Sequence, residues 1–303
     1  MQTLAIANQK GGTGKTTTAV CLAAALAEGD LFAEAEPSRT DRNDTRRRVL
    51  VIDLDAQANA TRWLTGRKDL PEDAADLFDV LTEEAALAEA VRPSTCDGVD
   101  LAPATPHLVG LERALASKPA PQFILKDQLD ALRKRGEEEE GEEGASRETR
   151  ENAAHGPYAF CLIDCPGALG TATVNALTAA GGVLVPVPAQ VLSLEGLAGL
   201  SGTVETIQGR LNERLRVAGV LACRVDERTR LSREVIEALQ DRFPGELLAS
   251  RIRENVRLAE APSHGQPITE YAPRSRGAQD YRALARELAE RLNPSPEAGG
   301  GPA

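Results

Sequence analysis

The residues best suited to chemistry lie near the start of the chain, in a segment rich in lysine and glycine at residues 10–17. An apolar, strand-like run precedes this segment at residues 3–8, and an Ala- and Leu-rich, helix-like run follows it at 16–28. Glycines let several backbone N–H groups turn toward one phosphate, and the start of a helix adds partial positive charge. We therefore expect a phosphate-binding loop made of Lys10, Gly11, Gly12, Thr13, Gly14, Lys15, Thr16 and Thr17.

Two side chains of this loop suit nucleotide chemistry. We expect the Lys15 ammonium to reach the outer phosphates and the Thr16 hydroxyl to coordinate Mg²⁺. The strict pattern GxxxxGK[ST] is not met, because Gln9 stands at the position of its first glycine and a second lysine, Lys10, follows. The alternative, a lysine on a solvated turn, leaves the three glycines unexplained.

Carboxylates follow two other apolar, strand-like runs. Asp53 is the last residue of the run VLVID, and Asp55 follows two residues later. Asp164 is the last residue of the run FCLID. By itself an Asp pair at a strand end could simply cap the next helix. Beside a phosphate-binding loop, we expect these carboxylates to face the phosphate site.

The chain alternates short apolar runs with helical patterns, and this alternation predicts the fold. Near-continuous apolar strands between helices indicate an α/β protein with a predominantly parallel, twisted sheet covered by helices on both faces. The predicted strands are 3–8, 49–53, 160–164, 183–187 and 217–223, and the predicted helices are 16–28, 195–214, 230–242 and 276–292.

The pattern predicts a single domain over residues 1–293, with two interruptions. Residues 30–48 are a polar insertion that lengthens a helix-to-strand connection. Residues 134–156 are acidic and of low complexity, so we expect disorder or a fraying helix there. The tail, 294–303, is rich in Gly and Pro and is expected to be flexible.

Composition narrows the choice of partners. Aromatic residues make up only 3% of the chain, which argues against a stacking surface for single-stranded nucleic acid. The net charge of −11 by itself disfavours nucleic acid, but the charge is uneven. Residues 137–151 carry a net charge of −6, whereas residues 210–291 hold sixteen Arg against thirteen acidic residues.

No segment predicts membrane insertion, a disulfide framework or a zinc site. Residues 165–194 carry no charge, but Pro166, Pro186 and Pro188 favour buried strands and a loop over a spanning helix. The first residues lack a basic region and a cleavage site, so we expect a cytoplasmic protein without stable membrane association. The five cysteines form no CxxC pair.

The loop KGGTGKTT resembles the deviant Walker A motif of the ParA/MinD family of P-loop ATPases, whose usual form is KGGVGKTT. The resemblance implies ATP and Mg²⁺ as cofactors and the hydrolysis of ATP to ADP and phosphate. It also implies a homodimer in the ATP-bound state, in which Lys10 reaches the partner's phosphates and acts as an arginine finger does.

The carboxylate segments resemble two further motifs of the same family. Residues 53–61 are similar to DxDPQGNAT, and residues 160–170 are similar to IIIDCPPSLG. By this resemblance Asp55 orients the attacking water, while Thr16, Asp53 and Asp164 hold Mg²⁺, with Lys10, Lys15 and Asp55 as the catalytic set. Among the departures from the family pattern are Ala56, Ala58 and Gly167.

A C-terminal segment narrows the resemblance to the partition group of ParA and Soj. Residues 255–265 are similar to NVRLSEAPSHG, 226–232 to DARTxLS, and 274–277 to part of KSRGA. The resemblance implies chromosome or plasmid partition by a nucleoid-associated ATPase. Such a protein binds double-stranded DNA without sequence preference, and a ParB-like centromere-binding protein stimulates its slow hydrolysis. The arginines implied to contact DNA are Arg228, Arg257, Arg274 and Arg276, with Arg230 as a further candidate.

One departure falls within this segment, because many relatives read PRNVRL where this chain has Glu254. An arginine that the family can use for DNA is therefore missing, and the neighbouring Arg253 is a candidate to replace it. The plain alternative for every one of these arginines is a solvated helix face with intrahelical ion pairs.

Three other functions stay open at this point. A MinD-like ATPase that cycles on a membrane needs an amphipathic C-terminal helix, and the last predicted helix carries Leu284, Leu288 and Leu292. An iron–sulfur reductase with the same loop would need cysteine ligands such as Cys96 and Cys165. A ParA relative could also position a cargo other than a replicon. Partition is the leading interpretation, and the sequence does not decide between a chromosome, a plasmid and another cargo, nor does it give a role to the acidic insertion.

Overall fold

Strands from the whole length of the chain meet in one sheet. The computed structural model describes residues 1–28, 47–67, 70–71, 73–141, 158–190 and 194–292, with the backbone alone described for 139–141 and 194–198. The strands in these ranges are β1 (Gln2–Ile6), β2 (Val49–Asp53), β3 (Arg92–Pro93), β4 (Val99–Ala102), β5 (Phe160–Asp164), β6 (Gly182–Pro188), β7 (Arg216–Val225) and β8 (Leu247–Arg253).

Helices separate most of these strands. They are α1 (Lys15–Ala27), α2 (Asn59–Thr65), α3 (Leu77–Leu81), α4 (Leu87–Ala90), α5 (Leu111–Leu115), α6 (Ile124–Gly141), α7 (Thr171–Ala179), α8 (Leu194–Arg210), α9 (Arg230–Arg242), α10 (Val256–Glu260), α11 (Ile268–Tyr271) and α12 (Arg276–Leu292). Short 3-10 helices cover Pro106–Gly110, Pro121–Phe123 and Ala261–His264.

The sheet has the order β3-β4-β2-β5-β1-β6-β7-β8. Every neighbouring pair is parallel except β3 with β4. The predicted α/β fold with a predominantly parallel sheet is thus confirmed. The three central strands, β2, β5 and β1, are those that precede the candidate carboxylates and the glycine loop.

The apolar strands are buried on both faces, as their unbroken patterns predict. Leu50 and Ile52 of β2 face one core cluster, whereas Val49 and Val51 face the other. Helix α1 packs in the second cluster, where Ala and Leu fill nearly all of its surface. This explains why α1 lacks the polar face of an ordinary amphipathic helix.

The leucine stripe of the last helix belongs to the core. Leu284 and Leu288 of α12 are fully buried and pack with Tyr281 in the same cluster as α1. Leu292 packs against that cluster from its margin. The stripe therefore stabilises the domain and offers no apolar face to a bilayer. Among the described residues, no helix has both the length and the apolar run that crossing a bilayer requires.

Most predicted elements are present with shifted ends. Strand β1 ends at Ile6, two residues before the prediction, and α8 ends at Arg210, four residues early. The sequence pattern did not predict β3, β4, β8, the first part of α6, or the shorter helices α2, α3, α4, α5, α7, α10 and α11. These elements are short or interrupted by polar residues, so their periodicity is weak.

The predicted interruptions fall largely outside the described residues. Of the polar insertion only residues 47 and 48 are described, and the tail 294–303 lies outside entirely. Of the acidic insertion, residues 134–141 continue helix α6, so the helical alternative applies there, and residues 142–156 lie outside the description.

Strand β8 lies at a sheet edge, and an acidic side chain of α12 satisfies part of its backbone. The pairing of β8 with β7 jumps from Val220–Leu247 to Ala222–Arg251. Within this jump, the N–H groups of Ala249 and Ser250 donate to the Glu287 carboxylate at 2.8 and 2.7 Å. Burial alone would raise the pKa of Glu287, but the Ser250 side chain, these two backbone N–H groups and the charge of Arg291 together hold it below its usual value.

We predict that Glu287→Ala lowers the free energy of unfolding by about 1–2 kcal/mol, because two backbone donors lose a charged acceptor. Urea denaturation measures the change. The control is Glu290→Ala on the same helix, whose side chain is exposed and has no hydrogen bond within the described residues. Equal losses in the two variants would contradict the assignment.

The same contact has a defined pH dependence. A carboxyl group whose pKa is lowered by folding contributes stability above its ordinary pKa, and this contribution is lost as the pH falls through the folded-state value. The difference between wild type and Glu287→Ala should therefore shrink below about pH 4. A difference that stays constant on acidification would argue that packing, and not charge, is responsible.

Candidate nucleotide site

The carboxyl ends of three adjacent parallel strands meet at one edge of the sheet. The pairing aligns Ile6 of β1 with Asp164 of β5, and Asp164 in turn with Asp53 of β2. The glycine loop follows β1 at the same edge. The segments that the sequence analysis assigned to one site are thus neighbours, although more than a hundred residues separate some of them.

The glycine loop has the backbone conformation that a phosphate cradle needs. Gly12 and Gly14 adopt left-handed φ values of 72° and 90°, which favour glycine over other residues. A Cβ atom at Gly11, Gly12 or Gly14 would meet nothing within 4 Å, so the inner side of the loop is open space. Helix α1 begins immediately afterwards at Lys15, with its N-terminus at the cradle.

A buried asparagine that the sequence analysis did not single out anchors the base of this loop. The Asn8 side-chain amide donates to the Pro186 carbonyl oxygen of β6 at 2.7 Å. Its Oδ1 atom accepts the Lys10 N–H at 3.1 Å. These two bonds fix the exit of β1 against the neighbouring strand, and so fix where the cradle starts.

The two lysines of the loop differ in exposure, which agrees with their different predicted roles. Lys15 is 8% exposed, and its ammonium group donates to the Lys10 carbonyl oxygen at 3.2 Å. It therefore lies over the loop. The Lys10 side chain is exposed. An inward lysine suits a nucleotide held by its own subunit, whereas an outward lysine suits a phosphate held by another.

Asp53 is fully buried and organises the segment that follows β2. Its Oδ2 atom accepts both the N–H and the hydroxyl of Thr61 at 2.8 Å, and its Oδ1 atom accepts the Asp55 N–H at 3.1 Å. Burial raises the pKa of Asp53 to about 6, although the bonds from Thr61 oppose this shift. The structure thus shows an anchoring role for Asp53, and its predicted role at Mg²⁺ stays a prediction.

Asp55, the predicted water-orienting residue, lines the same cavity as the glycine loop. It is half-buried, and its Oδ1 atom accepts the Gln57 N–H at 2.9 Å. The turn continues to Ala58, which has a left-handed φ of 50° just before α2. The family pattern has glycine there, and a non-glycine residue costs roughly 1–2 kcal/mol in this conformation.

Asp164 is the strongest metal-ligand candidate. It is fully buried, and neither carboxylate oxygen has a hydrogen-bond donor within the described residues. Burial, followed by the nearby Asp53, raises its pKa well above the usual value, while Thr16 and Lys15 oppose this rise. A buried carboxylate without a partner is costly unless a cation compensates it. Together with the Thr16 hydroxyl it fits a hydrated Mg²⁺.

One cavity of about 740 Å³ joins the glycine loop to the carboxyl ends of β7 and β8. Its far wall includes Arg224, Ile252, Glu254 and Asn255. A volume of this size lies within the range of small-molecule and cofactor sites. The phosphate cradle forms one end of the cavity, which leaves the other end for the rest of a nucleotide.

The four arginines predicted to contact DNA are exposed. The Arg228 side chain is 90% exposed and pairs with Asp226 at 2.8 Å, and Arg257 pairs with Glu260 at 2.8 Å. Arg274 and Arg276 have no hydrogen-bond or charge partner in the part of the chain that the structure describes. Arg257 therefore matches the alternative of an intrahelical ion pair, whereas Arg228 pairs within the turn that precedes α9, and neither pair is buried.

Contacts between segments place the part of the chain that carries Arg257 next to the part that carries Arg274 and Arg276. The Tyr271 hydroxyl donates to Glu260 at 3.0 Å, and the His264 and Tyr271 rings stack with centroids 4.6 Å apart. The segment that follows Tyr271 packs close to the one that carries Arg257, since a Cβ at Gly277 would lie 3.0 Å from Leu258.

Arg253, the candidate to replace the missing arginine, is paired within the fold, and its contact with DNA stays a prediction. Its guanidinium is held by the buried Asp280 carboxylate, with Nε 3.0 Å from Oδ1 and the backbone N–H 3.0 Å from Oδ2. Glu254 is exposed and accepts a hydrogen bond from Gln190 at 3.2 Å. A local negative charge therefore stands where relatives carry a positive one.

Comparisons with known proteins agree with this site. The family model described as "CobQ/CobB/MinD/ParA nucleotide binding domain" matches residues 42–268, and one described as "AAA domain" matches residues 1–31. The chain belongs to the CobQ/CobB/MinD/ParA nucleotide-binding family. The resemblance to the ParA/MinD family is thereby confirmed.

Several relatives with high identity over nearly the whole chain are partition proteins by name. The chain is 38% identical to the sporulation initiation inhibitor protein Soj of Bacillus subtilis, over 94% of this chain and 97% of that protein. It is 37% identical to the chromosome partitioning protein ParA of Caulobacter vibrioides, over 96% and 95%. It is 40% identical to the chromosome-partitioning ATPase Soj of Thermus thermophilus, over 95% and 96%.

Solved structures of the family share the fold. Cobyrinic acid a,c-diamide synthase from Mycobacterium smegmatis, with bound ADP and magnesium, has a TM-score of 0.70 at 29% identity and covers 96% of this chain and 94% of its own. The cell division ATPase MinD of Pyrococcus furiosus has a TM-score of 0.67 at 23% identity, covering 95% and 98%, and shows the fold alone. Nucleotide and Mg²⁺ are therefore consistent with this family.

The iron–sulfur alternative finds no support in the cysteines. Cys96 and Cys165 lie in different core clusters, and both thiols are buried. Burial raises the pKa of both thiols above the usual value. Neither side chain is therefore presented to a second subunit, as a cluster shared between subunits would require.

We predict that Thr61→Val lowers the free energy of unfolding by about 2–3 kcal/mol, because valine leaves buried polar groups without partners. The Thr61 hydroxyl donates to Asp53 and also accepts the Ala104 N–H at 2.9 Å. Urea denaturation measures the change. The control is Thr206→Val, an exposed helical threonine whose hydroxyl donates to the Gly202 carbonyl at 2.7 Å. A loss no larger than the control would contradict this account of the Asp53 anchor.

Proposed function

We propose that this chain is a partition ATPase that moves a chromosome or plasmid by an ATP-driven cycle of dimerisation and DNA binding. The observation that carries the proposal is the glycine loop with one inward and one outward lysine. Lys15 lies over its own loop, while the Lys10 side chain is exposed. The names of the relatives, among them Soj and ParA, support partition as the process served.

ATP and Mg²⁺ are the proposed cofactors. The loop from Lys10 to Thr17 would hold the phosphates through its backbone N–H groups and Lys15. Thr16 and Asp164 would hold Mg²⁺, with Asp53 contributing from its anchored position. The metal would supply positive charge to the phosphate oxygens as the terminal phosphoryl group leaves.

Hydrolysis requires water to attack that phosphoryl group, and we assign Asp55 to orienting the water. Its half-buried carboxylate at the cavity wall supports this role. Lys10 of a second subunit would stabilise the charge that develops on the transferred group. Turnover then depends on the dimer, and a ParB-like protein that stimulates it would act on that assembled state.

The exposed arginines support binding to double-stranded DNA without sequence preference. Arg274 and Arg276, which have no partner within the described residues, would neutralise phosphates directly, whereas Arg228 and Arg257 would first exchange a half-buried carboxylate partner. Exposed pairs of this kind contribute little stability, so the exchange costs little. Glu254 opposes DNA locally, and we expect affinity to depend steeply on salt. This DNA would place the protein at the nucleoid in the cytoplasm.

A membrane-cycling function is less well supported. It would need the leucines of α12 at the surface, and Leu284 and Leu288 are fully buried. Positioning of another cargo by the same ATP cycle would share the glycine loop and the dimer but would lack the DNA step.

Co-sedimentation with double-stranded DNA tests the proposal. Wild type should bind DNA with ATP and not with ADP, and Lys10→Ala should lose this binding because its ATP-bound dimer does not form. Lys126→Ala, which removes an exposed lysine of α6, is the control. The double variant Arg274→Ala/Arg276→Ala should bind more weakly, with the slope of log K against log salt reduced by about 2.

The outcomes separate the two halves of the proposal. ATP-dependent dimerisation without DNA binding at low salt would overturn the DNA half and favour another cargo. DNA binding that is the same with ATP, with ADP and in Lys10→Ala would overturn the role of the nucleotide. Phosphate release from ATP should be as low in Lys10→Ala as in Lys15→Ala, the variant that lacks the loop lysine. The same assay is repeated with a ParB-like partner present.

A further inference from the structure

A residue with a strained backbone lines the nucleotide cavity at the end opposite the glycine loop. Arg224, near the end of β7, has a left-handed φ of 52°. This conformation costs a non-glycine residue roughly 1–2 kcal/mol. Backbone strain of this kind concentrates at functional sites, where the surrounding structure holds a side chain in place.

The sheet also departs from regular pairing at this residue. The ladder between β7 and β8 pairs Cys223 with Ile252 and then Val225 with Arg253, and its register shifts between the two pairs. Arg224 lies in that shift. The Glu254 N–H donates to the Val225 carbonyl oxygen at 3.0 Å, so pairing resumes immediately afterwards. Bulges next to active sites re-aim single side chains in this way.

No structural role accounts for an arginine at this position. Arg224 is exposed and has no hydrogen-bond or charge partner within the described residues, although it lines the cavity. Glycine or asparagine would adopt the same φ at lower cost. The nearby Arg228 and Arg253 both have carboxylate partners, at Asp226 and Asp280.

The position of β7 indicates which part of a nucleotide Arg224 meets. In the sheet order, β6 lies between β1 and β7. The end of β7 is therefore about 10 Å from the end of β1, since neighbouring strands lie about 4.8 Å apart. Phosphates held in the glycine loop end well short of this distance, and the nucleoside is what remains to fill the cavity.

We propose that Arg224 binds the nucleobase of the bound nucleotide, with its planar guanidinium against the face of the ring. Arginine stacks on π faces in this manner, whereas lysine is a compact point charge without a planar group. This inference rests on the proposed function, because it names a specificity residue of the same ATP site. No pattern in the sequence marks it, since the motif similar to DARTxLS begins two residues later.

Calorimetric titration of ATP and of tripolyphosphate, both with Mg²⁺, tests the proposal. Arg224→Ala should weaken ATP binding by roughly 5- to 30-fold, the range expected for a desolvated cation–π contact, and should leave tripolyphosphate binding unchanged. Arg224→Lys should recover only part of the ATP affinity, because lysine keeps the charge and loses the planar group that stacks on the ring. Arg216→Ala, an exposed arginine at the other end of β7, is the control.

Three other results of this titration are possible, and each would overturn a different claim. Wild-type affinity for ATP in Arg224→Ala overturns the inference and leaves the proposed function intact. Full rescue by Arg224→Lys, together with weaker tripolyphosphate binding in Arg224→Ala, overturns base contact in favour of a charge that acts on the phosphates. A wild-type chain that binds neither ligand overturns the proposed function, and the inference with it. Melting temperatures of the free variants confirm that each is folded.

Discussion

The rest of the structure depends on one electrostatic constraint, the burial of two carboxylates at neighbouring strand ends. Asp53 and Asp164 are aligned across β2 and β5, and both are fully buried. The Thr61 side chain and two backbone N–H groups compensate Asp53, whereas Asp164 has no donor within the described residues. An isolated buried carboxylate is expensive to keep charged, so this edge of the sheet suits a bound cation, in line with the proposed Mg²⁺ site.

Several groups around this edge are placed where each can contact a different part of a charged ligand. The glycine loop offers N–H donors, Lys15 offers a nearly buried ammonium, and Asn8 fixes both relative to β6. One non-glycine residue that lines the cavity, Arg224, adopts a left-handed backbone conformation, and Ala58 does so in the turn that follows Asp55. Backbone strain of this kind is found at sites whose geometry serves a ligand as well as stability.

The sequence predicted the centre of the site better than its supports. Lys10, Lys15 and the strand-end aspartates belong to local motifs, so their positions followed from strand and helix signals. The Glu287 contact and the fixation of Arg253 by Asp280 join residues that only the fold brings together, and no local pattern encodes them. The Thr61–Asp53 bond lies within the motif 53–61, but the motif by itself did not indicate that these two side chains bond. Strand β8 was missed because Ser250 and Arg251 interrupt its apolar residues, and the strained φ of Arg224 was missed because residue type disfavours it.

The central claim, that Asp164 awaits a cation carried by the nucleotide, is tested by calorimetry of ATP with Mg²⁺ and with EDTA. Wild type should bind ATP about tenfold or more tightly with Mg²⁺. Asp164→Asn should lose this difference and still fold, because the substitution removes a buried charge that has no protein donor. An Asp164→Asn variant that keeps the full Mg²⁺ dependence, or a wild type that binds ATP equally well in EDTA, would contradict the account.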